Sequence, residues 1–207
     1  MLYVQNQGPF RGTCLAFAVT ASHELSRSPD IGPLEDLSEE MLYWGAKQVE
    51  GNRRAGAQVV SMNAALTGWG QPPEALWPYD PFIDDTQPTY QPSAACLQAG
   101  NTRKAKLQKI AVSVESFRSQ LGSGHPIVTG IPLWTAFLRP INGQLANPRS
   151  AELIGDRHAV VTVGYDDTQR RMLVRNSWGE TWGDRGHAWL PYAFVSQHVI
   201  EAWVIER

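Results

Sequence analysis

Apolar and small residues recur at helical spacing from Thr13 to Arg27, at Cys14, Phe17, Ala18, Ala21 and Leu25. This describes one buried stripe on a helix of about four turns, with Thr13 as its N-cap. A second helix is signalled by Ser38 as cap, with Glu39 and Glu40 where carboxylates meet the positive end of the dipole, ahead of MLYWGAKQV. A third is expected over Ser61 to Trp69. Between Gln71 and Pro92 stand six prolines, none able to extend a helix, so this stretch reads as a long irregular crossing and a lobe boundary. The grammar then changes. KIAVSV, PIVTGIPLW, HAVVTVGYDD, RMLVRNSW, HAWLPYAF and EAWVIER are short runs rich in Val, Ile and aromatics, and read as strands. DDTQRR opens with Asp between two of them, so HAVVTVGY and RMLVRNSW are expected to pair as an antiparallel hairpin, placing His158 and Asn176 on one sheet. The pattern predicts an α+β fold, helical over about residues 1–95 and β-rich over about 96–207.

Composition narrows the function classes. With 43% hydrophobic and 18% charged residues in 207, the chain has ordinary globular content and enough length to bury a core as one large domain or two small lobes. A net charge of -2 leaves no broad basic field for nucleic acid, and the cluster from Arg103 to Lys109 is short enough to be a solvated face. No cationic start followed by an apolar run opens the sequence, and no 18 apolar residues follow one another, so neither an export signal nor a membrane span is expected. The only cysteines are Cys14 and Cys96, which excludes a disulfide framework and favours a reducing compartment such as the cytoplasm, that of a target cell if the chain is a delivered effector. The five histidines, His23, His125, His158, His187 and His198, are scattered, so no metal site is expected. No cofactor is implied.

Cys14 falls in the first turn of its predicted helix, where unpaired N–H groups and the dipole favour a thiolate. A lone cysteine on an apolar helix face is more often core, so the residue alone decides nothing. Its company does. His158 lies 144 positions downstream and Asn176 162, close to the spacing of a Cys–His–Asn arrangement.

Three local strings, QNQGPFRGTCLAF, RHAVVTVGYDD and RNSWGETWGDRG, resemble the catalytic blocks of the papain-like (C1) cysteine peptidases, in that family's order. The resemblance implies a single peptidase domain over 1–207. It would be a papain-like two-lobed fold with a helical N-terminal lobe, an antiparallel β-barrel-like C-terminal lobe and the active-site cleft between them. It implies Cys14 as nucleophile, His158 as its base, Asn176 as orienter of that base and Gln7 as an oxyanion donor, cutting peptide bonds of a protein substrate through an acyl-thioester. Trp178 would cover the Asn–His bond and Trp182 line the leaving-group side. Gly56 and Ala57 resemble the paired glycines that bond to the substrate strand, and Gln58 would border a substrate pocket. The same residues would serve a transpeptidase or acyltransferase, or persist in an idle binding module.

The sequence departs from the familiar members in four places. Arg11 stands where they carry a disulfide-forming cysteine upstream of the nucleophile, and the interval from Gln7 to Cys14 is one residue longer. Ala57 replaces the second glycine and is expected to narrow specificity. Arg157 precedes the histidine, and a cation there is expected to lower the pKa of His158. Only 13 residues precede Cys14, where the family usually carries an inhibitory pro-segment. Together these suggest a bacterial-type, selective effector or processing enzyme restrained by a separate inhibitor or immunity protein.

Overall fold

The computed structural model describes residues 4–31 and 34–206. By its internal contacts the chain divides into one unit over Gln7–Leu107 with Glu206, and another over Gln108–Ile205 with residues 4–6. The first is helical: α1 (Cys14–Ile31), α2 (Glu39–Glu50), α3 (Val59–Gly68) and α4 (Ala94–Asn101). Ser38 caps α2 as its sequence predicts, its Oγ accepting the Met41 N–H at 3.1 Å, and Gly51 ends the helix with φ 64°. α2 packs on both α1 and α3, burying Leu42, Tyr43 and Ala46 with Phe17, Val19, Met62 and Leu66. Each large apolar side chain so buried contributes about 1.5–3 kcal/mol before entropy is counted.

The proline-rich stretch is irregular apart from a short 3-10 turn at Glu74–Leu76, but it is not where the units divide. Hydrogen bonds tie it to the start of α2. The Ser38 N–H donates to Pro72 O at 2.9 Å, the Ser38 hydroxyl to Trp77 O at 2.6 Å, and the Glu74 N–H to Asp36 O at 2.8 Å. The division falls between Leu107 and Gln108, past the expected 95/96, because α4 still belongs to the helical unit.

The second unit is built on a six-stranded sheet with order β1-β6-β2-β3-β4-β5, from β1 (Leu107–Lys109), β2 (Ile127–Trp134), β3 (Leu153–Asp166), β4 (Arg171–Arg175), β5 (His187–Pro191) and β6 (Glu201–Ile205). β3 and β4 form the predicted hairpin, antiparallel from Asp166↔Arg171 to Val161↔Arg175 with a bulge between Thr162 and Gly164. Two apolar clusters fill this unit. One gathers Ile131, Trp134, Phe137, Val160, Trp182 and Phe194; the other gathers Phe117, Ile127, Met172, Tyr192 and Val204.

Two expected strands are cut short by helices. KIAVSV pairs only at its start, because Ser113 caps α5 (Val114–Gly122), accepting the Ser116 N–H at 3.1 Å, with Glu115 in the first turn. HAWLPYAF leaves the sheet at Pro191, which has no N–H to continue a ladder, and runs into α6 (Tyr192–His198), which buries Tyr192, Phe194 and Val195.

Candidate active site

The β-rich unit brings His158, Asn176 and Trp178 together. His158 sits on β3 opposite Ile131 of β2, with 5% of its surface exposed. Asn176 follows the last residue of β4, and its N–H donates to Gly186 O at 2.9 Å. Gly186 has φ 79°, and a Cβ there would lie 2.5 Å from Val4, so the chain can turn here only with glycine. Asn176 Oδ1 accepts the Ser177 N–H at 2.9 Å and lies 2.7 Å from His158 Nε2. A backbone N–H is an unambiguous donor, so that amide atom is the oxygen and Nε2 must carry a proton to meet it. The Nε2–H tautomer leaves Nδ1 as the nitrogen with a free lone pair.

Aromatic rings enclose this pair. Trp178, half-buried, has its ring centroid 4.9 Å from that of His158, and Phe137 lies 5.5 Å from the same imidazole, edge-on. Trp182 is buried behind Phe137, its indole N–H donating to Phe137 O at 2.8 Å. Its visible contacts are thus with the core wall. Burial pushes the His158 pKa down to about 4, against the opposing effect of the hydrogen bond it donates to Asn176 Oδ1. Arg157, expected to be the cause, is exposed on the strand and is not among the groups that shift it.

The helical unit carries Gln7, Cys14, Gly56, Ala57 and Gln58. Cys14 is the first residue of α1 and half-buried; neither it nor Cys96 is in a disulfide. The Thr13 hydroxyl turns to Tyr79 Oη at 2.9 Å, and Tyr79 Oη donates to Gln7 O at 2.7 Å, so Thr13 is the donor in its own bond. Both ends of the loop before Cys14 therefore hang on one phenol, which also packs edge-on against Phe17 at 4.7 Å. Gly12 lies so close to the next segment that a Cβ would meet Gly56 N at 2.3 Å. Gln7 is 8% exposed, and Gln58 is exposed with its N–H donating to Glu50 Oε1 at 2.8 Å. Among the described residues no group of three or more His, Cys, Asp or Glu is placed to hold a metal, and no helix is long and apolar enough to cross a membrane.

The sequence profile described as papain family cysteine protease matches residues 2–202. The chain belongs to the papain family of cysteine proteases. It is 26% identical over 209 residues to an uncharacterised peptidase C1-like protein of Acanthamoeba polyphaga mimivirus, covering 95% of this chain and 67% of that protein. It is 27% identical to cathepsin Q of Rattus norvegicus, covering 84% of this chain and 51% of that one, so it spans about half the length of the cathepsin. In structure it is similar to xylellain, a cysteine protease from Xylella fastidiosa, with TM-score 0.89, 28% identity, and coverage of 99% of this chain and 82% of that one. The Carica candamarcensis cysteine protease CMS1MS2 shares the fold, with TM-score 0.77 at 19% identity over 100% of this chain and 93% of that one.

Seen as a papain-family chain, the helical unit contains an arrangement that sequence reasoning missed. Arg11, at the position of the absent cysteine, forms a bidentate ion pair with Glu40, both bonds 2.7 Å, with side chains 7% and 0% exposed. It also donates to Asp80 O at 2.9 Å and to Tyr90 Oη at 3.1 Å, and its guanidinium lies over the rings of Tyr43 and Tyr79 at 5.1 and 5.2 Å. Tyr90 donates in turn to Glu40. Burial opposes the charge on Arg11, but the bonds and the charge of Glu40 outweigh it and hold its pKa above the ordinary value. The signal in the sequence is Glu40, whose place in the first turn of α2 accounts for it without a distant partner.

Proposed function

We propose that this chain is a cysteine endopeptidase acting on a protein substrate, with Cys14, His158, Asn176 and Gln7 in the roles the family pattern gives them. The observation that carries the reading is the His158–Asn176 bond, which makes Nδ1 the nitrogen able to accept a proton. Nδ1 takes the Sγ proton of Cys14, and the thiolate adds to the scissile carbonyl. The oxyanion is held by the Gln7 side-chain amide and the Cys14 N–H, and the C–N bond breaks as His158 protonates the leaving amine. Water, deprotonated by His158, then hydrolyses the thioester. A buried imidazolium is unfavourable alone, so in this mechanism it forms together with the thiolate that offsets its charge.

The departures at Arg11 and Ala57 favour a selective effector or processing enzyme working in a reducing compartment, and we extend the proposal to a separate protein as its restraint. Copurification with a stoichiometric partner would support that restraint, and full activity in the producing cell without toxicity would count against it. For the chemistry, Cys14→Ala should abolish both peptide cleavage and labelling by an epoxide thiol inhibitor; cleavage that survives the substitution sinks the assignment.

A further inference from the structure

A cavity of about 370 Å³ opens within the helical unit beside the nucleophile loop, lined among others by Phe10, Gly12, Arg53, Phe82, Asp84 and Asp85. Gly12 is two residues from Cys14, so the cavity borders the loop that the peptidase reading makes catalytic. Its rim is a pair of aromatics that a folded chain normally hides. Phe10 and Phe82 are 69% and 77% exposed and touch each other with ring centroids 5.4 Å apart. The turn at Asp80, whose Oδ1 accepts the Phe82 N–H at 2.8 Å, fixes the backbone that presents Phe82. An exposed aromatic pair beside a cavity marks a place where something binds.

Charge selects what binds. Arg11, at the cavity wall, is already matched by Glu40. Asp84 spends its oxygens locally, accepting from the Thr86 N–H at 3.0 Å, the Thr86 hydroxyl at 2.5 Å and Gln87 Nε2 at 2.5 Å. Asp85 does not. Its side chain is 20% exposed, and among the described residues its one polar partner is Arg11, at 3.8 Å, beyond hydrogen-bonding distance. A largely desolvated carboxylate without a donor favours a cation. The opposing charge is Arg53, an exposed guanidinium over the Tyr90 ring at 5.7 Å. The charges on the wall balance, Arg11 and Arg53 against Asp84 and Asp85, but Arg11 is committed to Glu40 behind it, which leaves Asp85, among the described residues, as the carboxylate with neither a cation nor another donor within hydrogen-bonding distance.

We propose that this cavity is a specificity pocket for a basic side chain, Lys or Arg, of the peptide substrate, its aliphatic stem on Phe10 and Phe82 and its head on Asp85. The pocket rests on the peptidase reading for its role in turnover but not for its binding. The long apolar stem with a cationic tip matches an aromatic rim above a lone carboxylate.

The test uses peptide sets that place Lys, Arg, norleucine or Glu at each position around one cleavable bond, with the wild-type chain, Asp85→Asn and Phe82→Ala. We expect Lys or Arg to be preferred at one position. Asp85→Asn should lower kcat/KM for those peptides by about tenfold to a hundredfold, the range for a hydrogen bond to a charged group, while the norleucine peptide keeps its value. Phe82→Ala should lower both. Indifference to Asp85→Asn, or a preference for Glu that Arg53→Gln removes, overturns the pocket. If no peptide is cleaved and Cys14 resists the epoxide, the peptidase reading fails. The pocket is then decided by peptide titration of the Cys14→Ala chain: tighter binding of Lys than of norleucine, lost in Asp85→Asn, supports it, and equal binding refutes it.

Discussion

The Arg11–Glu40 pair gives a prediction whose size follows from burial. Replacing Arg11 by Met keeps an unbranched side chain against the three tyrosines but removes the bidentate bonds to Glu40 and the bond to Asp80 O. Glu40, fully buried, is then left with the Tyr90 hydroxyl and the Asp80 N–H. Breaking one side of a buried pair costs about 3–5 kcal/mol, because the remaining charge stays desolvated and uncompensated. The chain carries its own control in Lys106–Glu206, a 2.9 Å pair with side chains 62% and 44% exposed. An exposed pair of that kind is worth about 0–1 kcal/mol. The assay is urea unfolding followed by circular dichroism in a Cys14→Ala background, which removes self-cleavage. We expect Arg11→Met to lose several times what Lys106→Met loses, and the double variant Arg11→Met with Glu40→Leu to recover most of the loss, since it leaves no orphaned charge. Equal losses in Arg11→Met and Lys106→Met, or a double variant worse than the single, would refute the argument.

Three further outcomes are expected. In the Cys14→Ala chain, His158 should titrate near pH 4 and hold its proton on Nε2 above that, read from imidazole nitrogen shifts by NMR; a midpoint at or above 6.5 would contradict the burial argument. Glu74 is pushed up to about 8 by burial and then by the charges of Asp36 and Glu40, against the Tyr79 N–H bond. A carboxyl with a higher pKa folded than unfolded binds more protons folded, so its share of stability is complete below the unfolded value of 4.5 and lost as pH rises through about 8. Glu74→Gln should flatten the decline of Tm with pH over that window, and an unchanged slope counts against the assignment. Finally, Asn176→Ala should reduce kcat less than His158→Ala, since it frees the base to rotate without removing it; equal losses would show that orientation is not its role.

Period and punctuation made much of this molecule legible. Ser38, Glu39 and Glu40 marked the start of α2 to the residue, and the Asp-led turn between β3 and β4 fixed the hairpin that brings His158 and Asn176 to one place. What escaped reading was set by distant partners. Thr13 immediately precedes α1, where a cap is expected, yet nothing local to it points to the bond its hydroxyl makes with Tyr79, 66 positions away. Val114 has strand propensity, yet Ser113 and Glu115 begin a helix through it. The prolines of the 71–92 stretch correctly forbade a helix but could not show that Ser38 and Asp36 hold the stretch against α2. Arg11 was visible as a substitution, whereas its partner depended on which face of α2 met the loop before Cys14.

The tether on that loop has a consequence for how the enzyme is made and kept. A guanidinium–carboxylate clasp closes as soon as the chain folds; it needs no oxidant to form and no isomerase to correct its pairing. Reductant leaves it intact. A thiol-rich medium, such as the proposed peptidase would need to keep the sulfur of Cys14 reduced, therefore leaves the segment before it undisturbed, and on that reading maintaining activity does not come into conflict with holding the loop in place.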